Sequence, residues 1–212
     1  GKAGSAQSRA VELSNSAYQP GEKGAAGQRQ DPTAILRDAR AVADATAFDT
    51  NVALQGLQDF VSKTGDLETG RAVFKDLAVL SKATGTELND MVSAAADVSI
   101  ALGDTDNKGQ KVAEVMRAIA GQGKLGAVEV KDLAVQMAKL SASAGQFAGD
   151  RGRSIAVLGA LAQEARQRGG ATSAASATTS VAAFSRDITK GKTLKNFGAA
   201  GIDVFADKGK TQ

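Results

Sequence analysis

Residues 60–102, FVSKTGDLETGRAVFKDLAVLSKATGTELNDMVSAAADVSIAL, constrain the fold more than any other stretch of the chain. Apolar side chains recur there at intervals of three and four, first as Val73, Phe74, Leu77 and Leu80, then as Leu88, Met91, Val92, Ala95, Val98 and Leu102. That period belongs to one face of a helix. Asp66 and Glu68 open the first helix and Lys82 lies near its end, the arrangement that the helix dipole favours. The two stripes meet at Thr84-Gly85-Thr86, where Gly85 closes one helix and Thr86 caps the next.

The pattern returns further along. Lys-Asp-Leu-Ala-Val stands at 75–79 and again at 131–135, each copy followed by a Ser/Ala-rich turn ending in Gly. Gly70-Arg-Ala-Val73 ahead of the first loosely parallels Gly126-Ala-Val128 ahead of the second. Self-similar helical units signal a structural array, because each unit buries its apolar face against its neighbours. Val112, Val115, Met116 and Ile119 form the cleanest i, i+3, i+4, i+7 set, and Val130, Leu133, Met137, Leu140 and Ala144 come after it. Ile155, Leu158, Leu161 and Ala162 mark a helix ending at Gly169-Gly170, and Thr172 caps a last one with Val181, Phe184 and Ile188 inward. No alternating β-branched run and no Asn-Gly hairpin turn occurs. The expected fold is all-α, an elongated array of six to eight amphipathic helices in hairpins with short Gly-rich loops.

Composition divides the chain into segments. Residues 1–30 are rich in Gly, Ala, Gln and Ser, and are expected to be flexible or held by a partner, with a helical turn or two over Ala10–Ala17. Asp31-Pro32 is a strong helix start, with Asp as N-cap and Pro where its missing N–H costs nothing. One long helix is expected over 31–62, with Leu54, Leu57 and Val61 on one face. The core spans 63–190. Residues 191–212 are expected to be a basic, irregular end continuing into a longer chain, as the first residue, Gly1 in place of Met, also suggests. Of the 212 residues 42% are hydrophobic, mostly Ala, Leu and Val, and 4% are aromatic, so thin helix packing is expected.

The chain has no His and no Cys, which removes the usual general base, the commonest metal ligand and thiolate chemistry. Catalytic residues, cofactor and metal are all expected to be none, and the chain is not expected to be an enzyme. Gly121-Gln-Gly123-Lys-Leu-Gly126 matches the dinucleotide fingerprint letter for letter, but a helix precedes it where a strand is required, so a flexible helix–helix loop is expected. Asp104-Thr-Asp106-Asn-Lys108-Gly109 has the start of an EF-hand loop. Its fifth and twelfth positions are Lys108 and Val115, where oxygen ligands are needed, so a polar turn with Asn107 capping the next helix fits better. Gly191-Lys-Thr193 and Gly209-Lys-Thr211 resemble the end of a phosphate loop, with Arg186 or Val204 where the required Gly belongs. Glu12, Glu22, Glu68, Glu87, Glu114, Glu129 and Glu164 fall at first-turn or outer positions and suit a solvated face. No run of about 18 apolar residues is present to span a bilayer, and no membrane contact is expected. The net charge of +3 permits a polyanionic partner without requiring one.

Arg186, Lys190, Lys192 and Lys195, set against Asp187 alone, form the one compact basic patch, flanked by Phe184 and Phe197. A solvated helix end explains it plainly, and an anion-binding surface explains it more sharply. These four are the candidate partner-contact residues.

Four phrases then stand out together. They are Thr64-Gly-Asp66-Leu-Glu; Asp76-Leu-Ala-Val-Leu-Ser-Lys-Ala-Thr-Gly85-Thr-Glu-Leu-Asn-Asp-Met91; Gly126-Ala-Val-Glu-Val-Lys-Asp-Leu-Ala134 leading to Lys-Leu-Ser-Ala-Ser-Ala-Gly145; and Gly159-Ala-Leu-Ala-Gln-Glu-Ala-Arg-Gln-Arg-Gly-Gly170. In this order and spacing the chain resembles the core domain of phage tail tape-measure proteins, over about residues 60–195. The resemblance implies a long, largely helical protein inside the tail tube, whose length sets tail length and which leaves through the tip ahead of the DNA. It implies tail tube and tail tip or baseplate hub proteins as partners, and a homo-oligomer, a trimer, around the tail axis. DNA is met only indirectly, and the place is the virion, in the tail lumen or at the tip. The alternative is a helical subunit of another exported assembly, of the flagellar or injection-apparatus type, which shares the Cys-free, aromatic-poor composition.

Overall fold

A computed structural model describes residues 2–17, 29–126 and 128–199. Asp31, Asp49, Asp66, Asp150 and Ser173 each accept a backbone N–H from the first turn of the helix they precede. A cap of this kind contributes about 1 kcal/mol, so these side chains fix where helices begin. Gly65 and Gly85 end two of them at φ 71° and 67°, a left-handed conformation that costs a side chain more than it costs glycine. The described residues form eleven helices and no strand: α1 Lys2–Ser16, α2 Pro32–Thr46, α3 Thr50–Thr64, α4 Leu67–Thr84, α5 Leu88–Leu102, α6 Lys108–Leu125, α7 Val130–Val135, α8 Met137–Ala144, α9 Arg151–Gln167, α10 Ala174–Ile188 and α11 Gly191–Ala199. The chain is all-α, as expected.

Counting α7 and α8 as one broken helix, each helix from α1 through α8 packs on the next in chain order and on the one after that. The helices therefore fall into two rows. One runs α1, α3, α5, α7–α8, α10, and the other α2, α4, α6, α9. Between the rows lies one contiguous core, whose fully buried members include Ile35, Leu54, Phe60, Leu77, Met91, Met116, Ile119, Leu133, Met137, Leu140 and Ile155.

Polar ties repeat along both rows. Arg71 of α4 pairs with Asp38 of α2 at 2.5 Å, and Arg117 of α6 pairs with Asp76 of α4 at 2.5 Å. Lys63 of α3 pairs with Asp97 of α5 at 2.7 Å, and Lys139 of α8 donates to Thr179 of α10 at 3.1 Å. The hydrogen-bonded ties among these span 33, 41 and 40 residues. Partly exposed polar ties of this kind add little stability, and the apolar core supplies the adhesion.

The structure corrects several expectations. The helix expected over 31–62 is two helices, broken at Ala47-Phe48-Asp49. Ala47 turns left-handed at φ 59°, Phe48 packs against the core with the Lys82 ammonium 4.0 Å from its ring centre, and Asp49 caps α3. The break lets Ala53, Leu54, Leu57, Phe60 and Val61 fold back into the interior, which a straight helix would leave in water. The N-terminal segment is not wholly flexible: α1 buries Ala6, Ala10 and Leu13 against α2 and α3, and Arg9 donates to Gln55 at 2.8 Å. Two alanines and one leucine are too little for composition to register, yet the facing helices supply the other half of the contact. Residues 18–28 lie outside the described part of the chain. Helix 130–144 is broken at Gln136, with Val130, Leu133, Met137, Leu140 and Ala144 all still buried. Residues 191–199 are helical where an irregular end was expected, and 200–212 lie outside the described residues. These differences raise the number of helices above six to eight.

Candidate functional site

The basic patch begins in the last turn of α10. Arg186, Lys190, Lys192 and Lys195 are all exposed, the last two on α11. Lys190 is committed to Asp187 at 2.6 Å. That hydrogen bond, with the ammonium's charge, holds the Asp187 carboxyl below the usual carboxylate range, and Arg186 adds a smaller pull the same way. Arg186, Lys192 and Lys195 have no ion-pair partner among the described residues. Phe184 points outward, 51% exposed, against the expectation that it faces in. The side chain of Phe197 lies outside the described residues. Among the described residues the patch is a group of exposed cations with one aromatic beside it, of a kind that can meet an anionic surface.

The Gly121–Gly126 motif is not a loop. Helix α6 continues through it to Leu125, so Gly121 and Gly123 are helical. A Cβ at Gly123 would collide with the side chain and backbone of Val130, and one at Gly126 with the Gln163 amide. Two of the three glycines therefore let the start of α7 and the side of α9 close onto the end of α6. Gln163, buried, faces the Val128 peptide there: the Val128 N–H donates to its Oε1 at 2.7 Å, and its Nε2 donates to the Val128 carbonyl at 2.9 Å. One amide thus satisfies both polar groups of a buried peptide. No pattern in the sequence announces Gln163, since a glutamine on a helix reads as solvated.

The EF-hand-like turn is closed by the chain itself. Asn107 sits left-handed at φ 54° ahead of α6 without a side-chain cap, and Lys111 Nζ donates to Thr105 Oγ1 at 2.5 Å. Among the described residues no three acidic side chains converge on a point. Gly191-Lys-Thr193 opens α11, and Gly209-Lys-Thr211 lies outside the described residues, as does Glu22. The other six glutamates are exposed. Thr86 is buried ahead of α5 and the cap position is Glu87, while Ser173, one residue beyond Thr172, caps α10.

Among the clefts on the surface, two are lined by charged side chains. One of about 390 Å³ lies among α5, α6 and the start of α9, with Lys111, Glu114, Asp150 and Arg153 around Leu102 and Val115. The other, of about 530 Å³, is lined by Glu129, Asp132, Arg166 and Ser173 beside Val135. Arg166 is turned to the Ala171 carbonyl at 3.0 Å. Each cleft mixes both signs of charge. Among the described residues no helix is long and apolar enough to cross a membrane. Compared with family models, curated proteins and solved structures, the chain matches none.

Proposed function

We propose that this chain is a structural segment of a phage tail tape-measure protein, lying in the tail lumen or at the tip and acting as part of the ruler for tail assembly until it is released at DNA ejection. The observation that carries the proposal is the regular packing of each helix on the next and the one after, with polar ties joining partners 33 to 41 residues apart in the chain. An elongated array of helical hairpins built this way grows by one layer for each pair added, so chain length converts into physical length. Its few aromatics and its lack of cysteine cross-links suit a protein that is packed into a tube and later expelled. Under this reading the partners are tube and tip or baseplate hub proteins and further copies of the chain, the role is structural, and DNA passes through the tube afterwards.

The test is an in-frame duplication of Pro32–Gln167, combined with electron microscopy of the particles. Those residues hold four helices of one row. At ~10 Å between packed helices, duplication adds about 40 Å if the array stays folded. If the segment runs as one continuous helix in the tube, about 200 Å is added instead, at 1.5 Å per residue. Unchanged tails remove the ruler role.

A further inference from the structure

Helix α9 ends its row, and its outer face is built like an interface. Arg153, Val157, Ala160, Glu164 and Gln167 are all exposed and recur at intervals of four, three, four and three, the spacing of a coiled-coil seam. Val157 is 49% exposed and Leu161, beside the seam, 37%, although Leu161 was expected to face the core. The opposite side of the same helix buries Ile155, Leu158, Ala162 and Gln163. The outer face thus sets Val157, Ala160 and Leu161 between polar ends at Arg153 and Glu164, an apolar centre that a neighbouring helix could cover.

The charges on the outer face run against the helix's own dipole. Arg153 stands in the first turn, which holds no acidic residue, and Glu164 stands in the last. Each would be favoured beside the opposite end of a neighbouring antiparallel helix. Residues 153 and 164 are equidistant from the point between Leu158 and Gly159. When two copies of α9 lie antiparallel about a two-fold axis at that point, Arg153 of each copy faces Glu164 of the other, and Val157 faces Ala160. At 1.5 Å per residue the two ion pairs sit about 8 Å either side of the axis. Arg153, at the edge of the cleft that also holds Glu114 and Asp150, forms no ion pair among the described residues, and Glu164 reaches only Arg168 of its own helix, at 3.4 Å with both side chains more than half exposed.

We propose that a second copy of this chain docks on α9, forming a two-fold dimer through an antiparallel α9 pair with Val157, Ala160 and Leu161 at its centre and reciprocal Arg153–Glu164 pairs at its ends. A patch that is its own complement is what a two-fold interface requires. The proposal stands on α9 alone, independent of the tape-measure reading, and departs from the three copies which that resemblance implies. One helix crossing is a small interface, so the dissociation constant lies in the micromolar range.

Sedimentation equilibrium of the 212-residue chain at low salt, over about 1–500 µM, reads the state directly. Dimers are expected; monomers throughout, or trimers, overturn the proposal. Arg153→Glu places like charges opposite each other, as does Glu164→Arg, and each is expected to weaken the dimer at least about tenfold. Both substitutions suit the α9 dipole, since Glu at 153 stands three residues after the Asp150 cap and Arg at 164 lies in the last turn, so an unchanged or raised melting temperature shows that folding is intact. Mixing the two single variants restores both ion pairs in a heterodimer, and the double variant restores them in a homodimer. Recovery in both cases is the expected result; single variants that dimerise normally, or failure of either rescue, sink the pairing.

Discussion

Single residues show how far a motif can stand from its chemistry. Gly121 and Gly123 sit two apart in the same fingerprint, yet one faces open space and the other the Val130 backbone. Gly121→Ala is therefore expected to stabilise the fold by about 0.5–1 kcal/mol, as alanine does in an exposed helix interior. Gly123→Ala should cost about 1–3 kcal/mol through overpacking, and urea melts of the two variants check the opposite signs. Gln163→Leu leaves both polar groups of the Val128 peptide unpaired in the interior, for an expected loss of about 2–4 kcal/mol by the same measurement. Asp66 makes a pH prediction. Burial alone pushes its carboxyl up, but the Thr69 N–H at 2.9 Å and the Lys108 ammonium at 3.4 Å outweigh that and hold it below its ordinary value of 3.8. A carboxylate held low favours the folded state above that ordinary value and loses its contribution as pH falls through the folded one. Asp66→Asn keeps a cap acceptor and loses the charge, so its urea midpoint should fall less between about pH 5 and pH 3 than that of the parent protein.

At the scale of elements, the decisive event is a break without a breaker. Nothing in Thr46-Ala-Phe-Asp49 resembles a helix stop, since Gly and Pro are absent. The chain turns there because Phe48 has a place against the core and Asp49 can cap α3. Holding Ala47 at φ 59° costs about 1 kcal/mol or more relative to glycine. Ala47→Gly should accordingly raise the melting temperature, by the equivalent of about 0.5–1 kcal/mol, with unchanged helix content by circular dichroism. An intact continuous helix over 31–62 would instead be weakened by the same substitution, so the sign separates the two structures. The paired Lys-Asp-Leu-Ala-Val phrases carry a related lesson. Both bury Leu and Ala and expose Lys and Val, yet one lies in α4 of one row and the other in α7 of the opposite row. The phrase encodes a helix face and leaves its place in the array to its neighbours.

Taken whole, the molecule is two rows of helices sharing a core, with Arg186, Lys190, Lys192 and Lys195 grouped where α10 gives way to α11. Exposed charges at that end contribute little to folding, so reversing Lys190, Lys192 and Lys195 to Glu should leave the melting temperature within the equivalent of about 0.5 kcal/mol. Under the proposed function the same triple variant yields fewer or malformed tails, because the cations meet acidic residues of tube or tip proteins. Counting intact particles by electron microscopy checks this. Normal tails with slow DNA ejection would point to DNA as the partner, and no change at all would leave the patch as a solvated helix end.

The sequence by itself determined helix identity and most of the buried faces. Val112, Val115, Met116 and Ile119, like Leu133, Met137 and Leu140, are inward as their spacing requires, because a period near 3.6 is a property of the local backbone. It also located the cap at Asp31, the start of α4 close to Asp66, and the stop at Gly85, which depend on side chains within one turn. Only tertiary structure decided the rest. The fold-back at Phe48, the docking of α1, the Gln163 clamp on Val128 and the outward faces of Leu161 and Phe184 all depend on what lies opposite. Contacts between residues 30 to 40 positions apart leave no local period in the sequence. A helix stripe shows that a side chain can be buried, and the neighbouring helix decides whether it is.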